Sequence, residues 1–397
     1  MERRNFIRNS GLLIAATGSA GVMAKIPFIE TEEEDALINF DIAAGAVPSE
    51  AVMTEQRKWD NEIRQSSPYF VWDNNNHLIE EARKRTSAIL GCNINEIAFC
   101  RNATEGLDTI LHGIDFREGE EVVYGRYDYP FVQNTIKQLE ARIGIKAVGV
   151  DYDIAHSTDE EIIGAYRSKI NNSTRLLVLT HMLNWNGRVL PVKKITEIAR
   201  RHDAEVLLDG AQSFAHIPFS IEDIRPDYFV ACFHKWFRGP LGTAFIFINK
   251  ERLGSVWPLH GDCEKPPDNI RVFDHLSTLD FPAFLSLASG FDKYKEDSLS
   301  KRLGRQKALS AELADALSEL PELNPMFPAE NFEYNGILSY ELKSDSPAEF
   351  VNKMIEHHGI LIKTIKYRKL GGFRISLPAE TEKNRIFDLI KAIKDEL

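Results

Sequence analysis

Asp209-Gly210-Ala211-Gln212 and, with its lysine twenty-six residues after that aspartate, Ala231-Cys232-Phe233-His234-Lys235-Trp236 each follow a short apolar run, Val206-Leu207-Leu208 and Tyr228-Phe229-Val230. Runs of this length, dense in β-branched and aromatic residues, are too short for helices and read as strands. Asp209 therefore ends a strand of near-continuous apolar character, where open α/β sheets place their ligands. After Lys235, Arg238-Gly239-Pro240-Leu241-Gly242 is a tight turn, so the ammonium is delivered at a strand end.

The same alternation runs outward in both directions. Glu96-Ile97-Ala98-Phe99, Glu121-Val122-Val123-Tyr124, Lys146-Ala147-Val148-Gly149-Val150 and Leu176-Leu177-Val178-Leu179-Thr180 read as further strands. Residues 105–114, 131–142, 159–170 and 192–202 carry apolar side chains at three- and four-residue spacing and read as crossover helices. Strands joined through helices make a mainly parallel sheet with helices on both faces. Gly242 to Ile248 arrives without an intervening helix and reads as a returning antiparallel strand. Residues 284–320 look helical throughout, Gly336 to Tyr340 and Gly372 to Ser376 look like strands, and residues 382–397 look like a terminal helix. The expected organisation is a leader at 1–24, an N-terminal segment at 25–50, a large α/β domain at 51–280 and a smaller α+β domain at 281–397.

An acid and a lysine placed in this way suit pyridoxal phosphate, which needs an amine for its aldehyde, a carboxylate for its pyridine nitrogen and a cradle for its phosphate. A carboxylate at the ring nitrogen keeps it protonated and strengthens the electron sink, which is the role open to Asp209. Taken alone, Asp209 reads better as a helix cap after a strand. Lys235 supplies the amine and, once substrate displaces it, a base for the α-proton. Arg101-Asn102-Ala103-Thr104-Glu105-Gly106 opens a helix after a strand, so its free N–H groups, the Thr104 hydroxyl and the helix dipole form an anion site suited to phosphate. Taken singly, Thr104 reads equally as a helix cap. His234 and Cys232 are further phosphate-side candidates. Tyr129 can stack on the ring, and Asn184 and Gln212 can approach its oxygen.

These residues carry a resemblance to the class V, fold-type I aminotransferase family, and within it to the isopenicillin N epimerase-like branch. Phe40-Asp41-Ile42-Ala43-Ala44-Gly45 resembles the family's opening motif, Asp209 to Gln212 its ring-nitrogen motif and His234-Lys235 its lysine motif. The resemblance implies phosphate contacts from Thr104 and His234, stacking by Tyr129, ring-oxygen contacts from Asn184 and Gln212, and a substrate-carboxylate grip by Arg374. It also implies a homodimer with shared sites, in which Thr278 of Ser277-Thr278-Leu279-Asp280-Phe281 reaches a phosphate across the interface. Two departures stand out. The usual serine two residues before the histidine is Cys232, and no cysteine follows Cys263, which disfavours a cysteine desulfurase with a nucleophile on its C-terminal loop.

Composition narrows the partners. The chain is 397 residues long with net charge −11 and shows no basic block able to track a phosphate backbone, so nucleic acid is excluded as a partner. Arg3-Arg4, an apolar run from Gly11 to Val22 and Val22-Met23-Ala24 resemble a twin-arginine export signal, which implies a periplasmic or exported enzyme; without a working signal it is cytoplasmic. The apolar run is too short for stable membrane insertion. Four cysteines without CxxC spacing suggest neither a disulfide framework nor a metal site. The expected activity is bond breaking at the α-carbon of an amino acid or an amino-acid-containing peptide, as an aminotransferase or epimerase. The alternatives are an exported C–S lyase, a peptide-tailoring enzyme, and a binding module on the same fold.

Overall fold

In a computed structural model, the described residues are 37–67, 76–261, 265–274, 279–327, 335–343 and 346–397. The leader expected at 1–24 lies outside them. The large sheet has seven strands, β1 (Ile97–Cys100), β2 (Glu121–Gly125), β3 (Lys146–Val150), β4 (Thr174–Thr180), β5 (Glu205–Asp209), β6 (Tyr228–Cys232) and β7 (Ala244–Ile248), in the spatial order β1-β7-β6-β5-β4-β2-β3. All run parallel except β7, which lies antiparallel between β1 and β6. The return is direct because the chain folds back within one loop: Phe233 N–H donates to Thr243 O at 3.0 Å, Gly239 N–H to Phe233 O at 2.8 Å and Arg238 N–H to Lys235 O at 2.9 Å.

Alternate residues of each strand point to opposite faces, and both faces are dry. Phe99, Leu177 and Leu208 belong to one core, whereas Ala98, Val178 and Leu207 belong to the other. Each fully buried large apolar side chain contributes about 1.5–3 kcal/mol. Helices α1 (Glu50–Gln65), α2 (Asn76–Leu90), α3 (Ala103–Gly113), α4 (Pro130–Ile143), α5 (Asp159–Arg167) and α6 (Val192–Arg200) surround the sheet. The close seat of α3 needs Gly106, since a Cβ there would lie 2.6 Å from Val230 Cγ1 and 3.2 Å from Cys100 Sγ.

The single helix expected over 284–320 is two: α7 (Phe281–Glu296) and α8 (Leu299–Ser318). Asp297 and Ser298 part them in extended conformations, with ψ of 93° and 146°. Both residue types compete with helical hydrogen bonds, which favours a break over continuation. Helix α7 packs on α1 and α2, so the residues following the expected boundary at 280 lie against the larger body. A second, antiparallel sheet joins β8 (Leu323–Pro325), β9 (Ile337–Leu342), β10 (Lys363–Tyr367) and β11 (Leu370–Ser376) in the order β10-β11-β9-β8. Helices α9 (Pro347–His358) and α10 (Lys383–Glu396) complete that body. Residues 38–46 strap the two bodies together. Ile38–Asn39 pairs with Ile360–Leu361, Ser376 N–H donates to Phe40 O at 2.7 Å, and Ala46 N–H donates to His234 O at 2.8 Å.

Candidate active site

The carboxyl ends of the parallel strands, the strap and the β10–β11 hairpin enclose a cavity of about 430 Å³. Asn102, Ala103, Thr104, Tyr129, Asn184, Asp209, Gln212, His234, Lys235 and Arg374 all line it, although they come from six separate stretches of chain. Thr278 lies outside the described residues. A more open hollow of about 800 Å³ sits at the opposite ends of the strands. Its chemistry is spent internally: Arg252 pairs with Asp227 and Glu205, Arg200 donates to Arg225 O, and burial pushes the Cys92 thiol up to about 12.

Asp209 is buried at the last position of β5, beside Thr180, the last residue of β4. Its Oδ1 accepts from Ala211 N–H at 2.9 Å, and Oδ2 has no protein partner among the described residues. Burial raises its carboxyl, opposed by the Ala211 N–H and the Lys235 charge. An aspartate so buried is expensive to ionise unless a positive group faces it. Lys235 and a protonated ring nitrogen are groups of that kind.

At the start of α3 the cap is Asn102, whose Oδ1 accepts from Glu105 N–H at 2.9 Å, so the reading of Thr104 as the cap does not hold. Thr104 stands one position inside the helix. The N–H groups of Ala103 and Thr104 consequently have no intrahelical partner, and with the Thr104 hydroxyl they open on the cavity at the positive end of the helix dipole. On the lysine loop, His234 Nδ1 is buried without a hydrogen bond, and burial followed by the Lys235 charge lowers the imidazole to about 4. Cys232, also on the wall, has its thiol raised by burial to about 11, so it is a neutral thiol at neutral pH. Tyr129 caps α4 at the cavity mouth, and burial, then the Asp209 carboxylate, raises its phenol.

Arg374 comes from β11. Its Nη1 donates to Asn184 O at 2.9 Å, its Nη2 pairs with Asp41, and its buried Nε is unpartnered. The Asn184 side chain therefore lines the cavity while its carbonyl holds the arginine. Gln212 is more committed than expected, since Nε2 donates to Ala43 O at 2.9 Å and Oε1 accepts from Trp236 Nε1 at 2.8 Å. It ties the strap to the lysine loop and keeps one N–H for any ligand. Sequence reasoning also missed Asp41 as the partner of Arg374, and Trp185, which lines the wall and stacks on Tyr367 at 4.6 Å with rings 5° from parallel. Trp185 stands one residue after Asn184 in a stretch already under suspicion, which was the available signal.

The residues present fit pyridoxal phosphate. An anion cradle of free N–H groups, a buried carboxylate with an open oxygen, and a lysine amine all face one cavity, and the orphaned His234 nitrogen adds a polar contact.

Comparison with known proteins agrees with that fit. The Aminotransferase class-V family matches residues 38–382. A probable cysteine desulfurase of Methanothermobacter thermautotrophicus is 24% identical over 329 residues, covering 80% of each chain. The isopenicillin N epimerase of Amycolatopsis lactamdurans is 23% identical over 270 residues, covering 64% of this chain and 68% of that protein. Among solved structures, a C-DES mutant with glycine covalently linked to its PLP cofactor has a TM-score of 0.81 at 21% identity, covering 90% and 96% of the two chains. The cystine C–S lyase C-DES with its product cysteine persulfide has a TM-score of 0.79 at 21% identity, covering 90% and 97%. The epimerase expected from the sequence is thus one distant relative, and proteins described as cysteine desulfurases, the activity disfavoured on sequence, recur beside it.

Proposed function

The chain belongs to the class-V aminotransferase family of pyridoxal-phosphate enzymes, and we propose that it breaks the carbon–sulfur bond of an amino acid as a C–S lyase, without a cysteine nucleophile of its own. The observation that carries this reading is the β10–β11 hairpin. It turns through Arg368 and Lys369 alone, between Tyr367 and Leu370, and no cysteine follows Cys263 in the chain. Kinship with desulfurases and with a C–S lyase supports the bond broken, and the missing loop nucleophile supports elimination over persulfide transfer to the protein. Buried Cys232 does not replace it, being a protonated thiol.

When bound, pyridoxal phosphate supplies an aldehyde for the substrate amine and a ring that draws electrons from the α-carbon. Lys235 covers the amine chemistry and removes the α-proton. Asp209 holds the ring nitrogen protonated, the start of α3 with Thr104 and His234 binds the phosphate, Tyr129 covers the ring, and Asn184 with Gln212 approaches its oxygen. Arg374 grips the substrate carboxylate, where a planar fork suits two oxygens. A protein assayed with S-substituted cysteines should release keto acid, ammonium and thiol in equal amounts by mass spectrometry. Keto acid matched by a new amine, or an inverted amino acid, would instead support the aminotransferase or epimerase reading that the epimerase relative keeps in view. We further propose a homodimer in which Thr278 serves the partner's site, tested by sedimentation for twice the 45.1 kDa chain mass, and export through residues 1–24, tested by N-terminal sequencing of periplasmic protein.

A further inference from the structure

We propose that Lys363 selects amino acids carrying a second acid group at the end of the side chain. The inference rests on the reading of the cavity as an amino-acid site and names its substrate class.

Lys363 stands directly opposite Arg374 in the antiparallel pair β10–β11. Opposed residues share a face with Cβ atoms about 4.5–5.5 Å apart, and both residues line the cavity. In the next pair, Thr364 also lines the cavity while Phe373 is buried in the core of the smaller body. Two like charges directly opposed on a sheet cost stability. Asp41 offsets one of them by pairing with Arg374. Lys363 has no acidic partner among the described residues, so a cation is left over on the wall of a cavity in a protein of net charge −11.

The two cations differ in freedom. Arg374 is buried and held by Asp41 and Asn184 O, so it fixes one carboxylate in one place. Lys363 is exposed on a flexible four-carbon stem and can follow side chains of different length, as a point charge rather than a fork. An α-carboxylate at Arg374 therefore points a distal carboxylate or sulfonate toward Lys363. In a C–S lyase that distal acid rides on the sulfur. The α-proton passes to Lys235, the Cα–Cβ double bond forms, the C–S electron pair leaves with sulfur as a thiolate that takes a proton, and water converts the released enamine to keto acid and ammonium.

The test uses two probes differing only in distal charge, S-carboxymethyl-L-cysteine and S-carbamoylmethyl-L-cysteine, with the cofactor-loaded enzyme. Calorimetric binding of L-2-aminoadipate, which has no sulfur to eliminate, against its neutral amide runs beside it. The charged member of each pair should be preferred by about tenfold, as for one partly exposed charge-assisted hydrogen bond. Lys363→Met should collapse the ratio in both KM and calorimetry, and Lys363→Arg should restore it. Equal binding of charged and neutral ligands by the wild type, or a ratio untouched in Lys363→Met, overturns the proposal. A binding preference without turnover of either cysteine derivative sinks the lyase reading while Lys363 keeps its assignment. Absence of binding by any of the four overturns both.

Discussion

Asp209 and Lys235 are separated by twenty-six residues of sequence and by one strand step in space, because β5 and β6 are neighbours whose ends lie at the same edge. Replacing Asp209 by Asn keeps the shape and removes the charge proposed to hold a ring proton. We expect kcat to fall about a hundredfold or more, the low end of what a positioned proton-holding group contributes, with cofactor still retained on gel filtration. At this scale the sequence was legible where a residue ends a strand. Asp209, Thr104 and Lys235 could be placed by counting from apolar runs. Asp41 could not, because its partner Arg374 lies 333 positions away and only the strap's path between the two bodies brings them together. The double commitment of Gln212 was equally hidden, since both of its partners depend on that path.

In the proposed site, helix α3 is the element that would make a phosphate cradle out of ordinary backbone. Its dipole reaches the cavity only because Gly106 lets the helix sit against Val230 and Ile246. Gly106→Ala should overpack that contact by about 1–3 kcal/mol and weaken cofactor binding in a fluorescence titration; unchanged affinity would show that the helix end is not the cradle. The hairpin is the second such element. Tyr367 stacks on Trp185 and its hydroxyl joins Gln133 Nε2 at 2.8 Å, while Arg368 pairs with Asp151 at 3.2 Å. Tyr367→Ala should let Arg374 and Lys363 drift and raise KM by roughly tenfold, within what misplacement by a fraction of an ångström costs. The buried strands were legible because both faces are apolar. Strand β10, Lys-Thr-Ile-Lys-Tyr, is an edge strand whose polar residues hide it from any hydrophobic pattern. Helix α1 went unseen for a similar reason: only Val52 is fully buried along it.

The molecule as a whole should be sensitive to mild acid. Burial lowers His181 and His234 to about 4 and His216 to about 3. Between pH 6.5 and these values the unfolded chain binds more protons, so stability is lost as pH falls through that window, at up to about 1.4 kcal/mol per unit for each group. Asp128, raised by burial to about 7, works in the opposite sense and binds its proton in the folded state. Asp108 and Asp209, also raised by burial, act with Asp128, and His112, also lowered, acts with the three histidines. The histidines prevail and stability falls between pH 7 and pH 5, readable in urea melts of cofactor-free protein, where a midpoint that holds or rises on acidification would contradict this. The class of fold was legible across most of the chain, because strand–helix alternation recurs from residue 96 onward. The reaction was not, since transamination, epimerisation and elimination would all use Lys235, Asp209 and Arg374.

Every role proposed for the cavity depends on Lys235 carrying the cofactor. Absorbance spectra of wild-type and Lys235→Ala protein, each with added pyridoxal phosphate and then treated with borohydride, address it most directly. Wild type should show a cofactor band that borohydride fixes covalently to the peptide containing Lys235, with no such fixation in the variant. Fixation at another lysine, or no cofactor band in wild type, would contradict it.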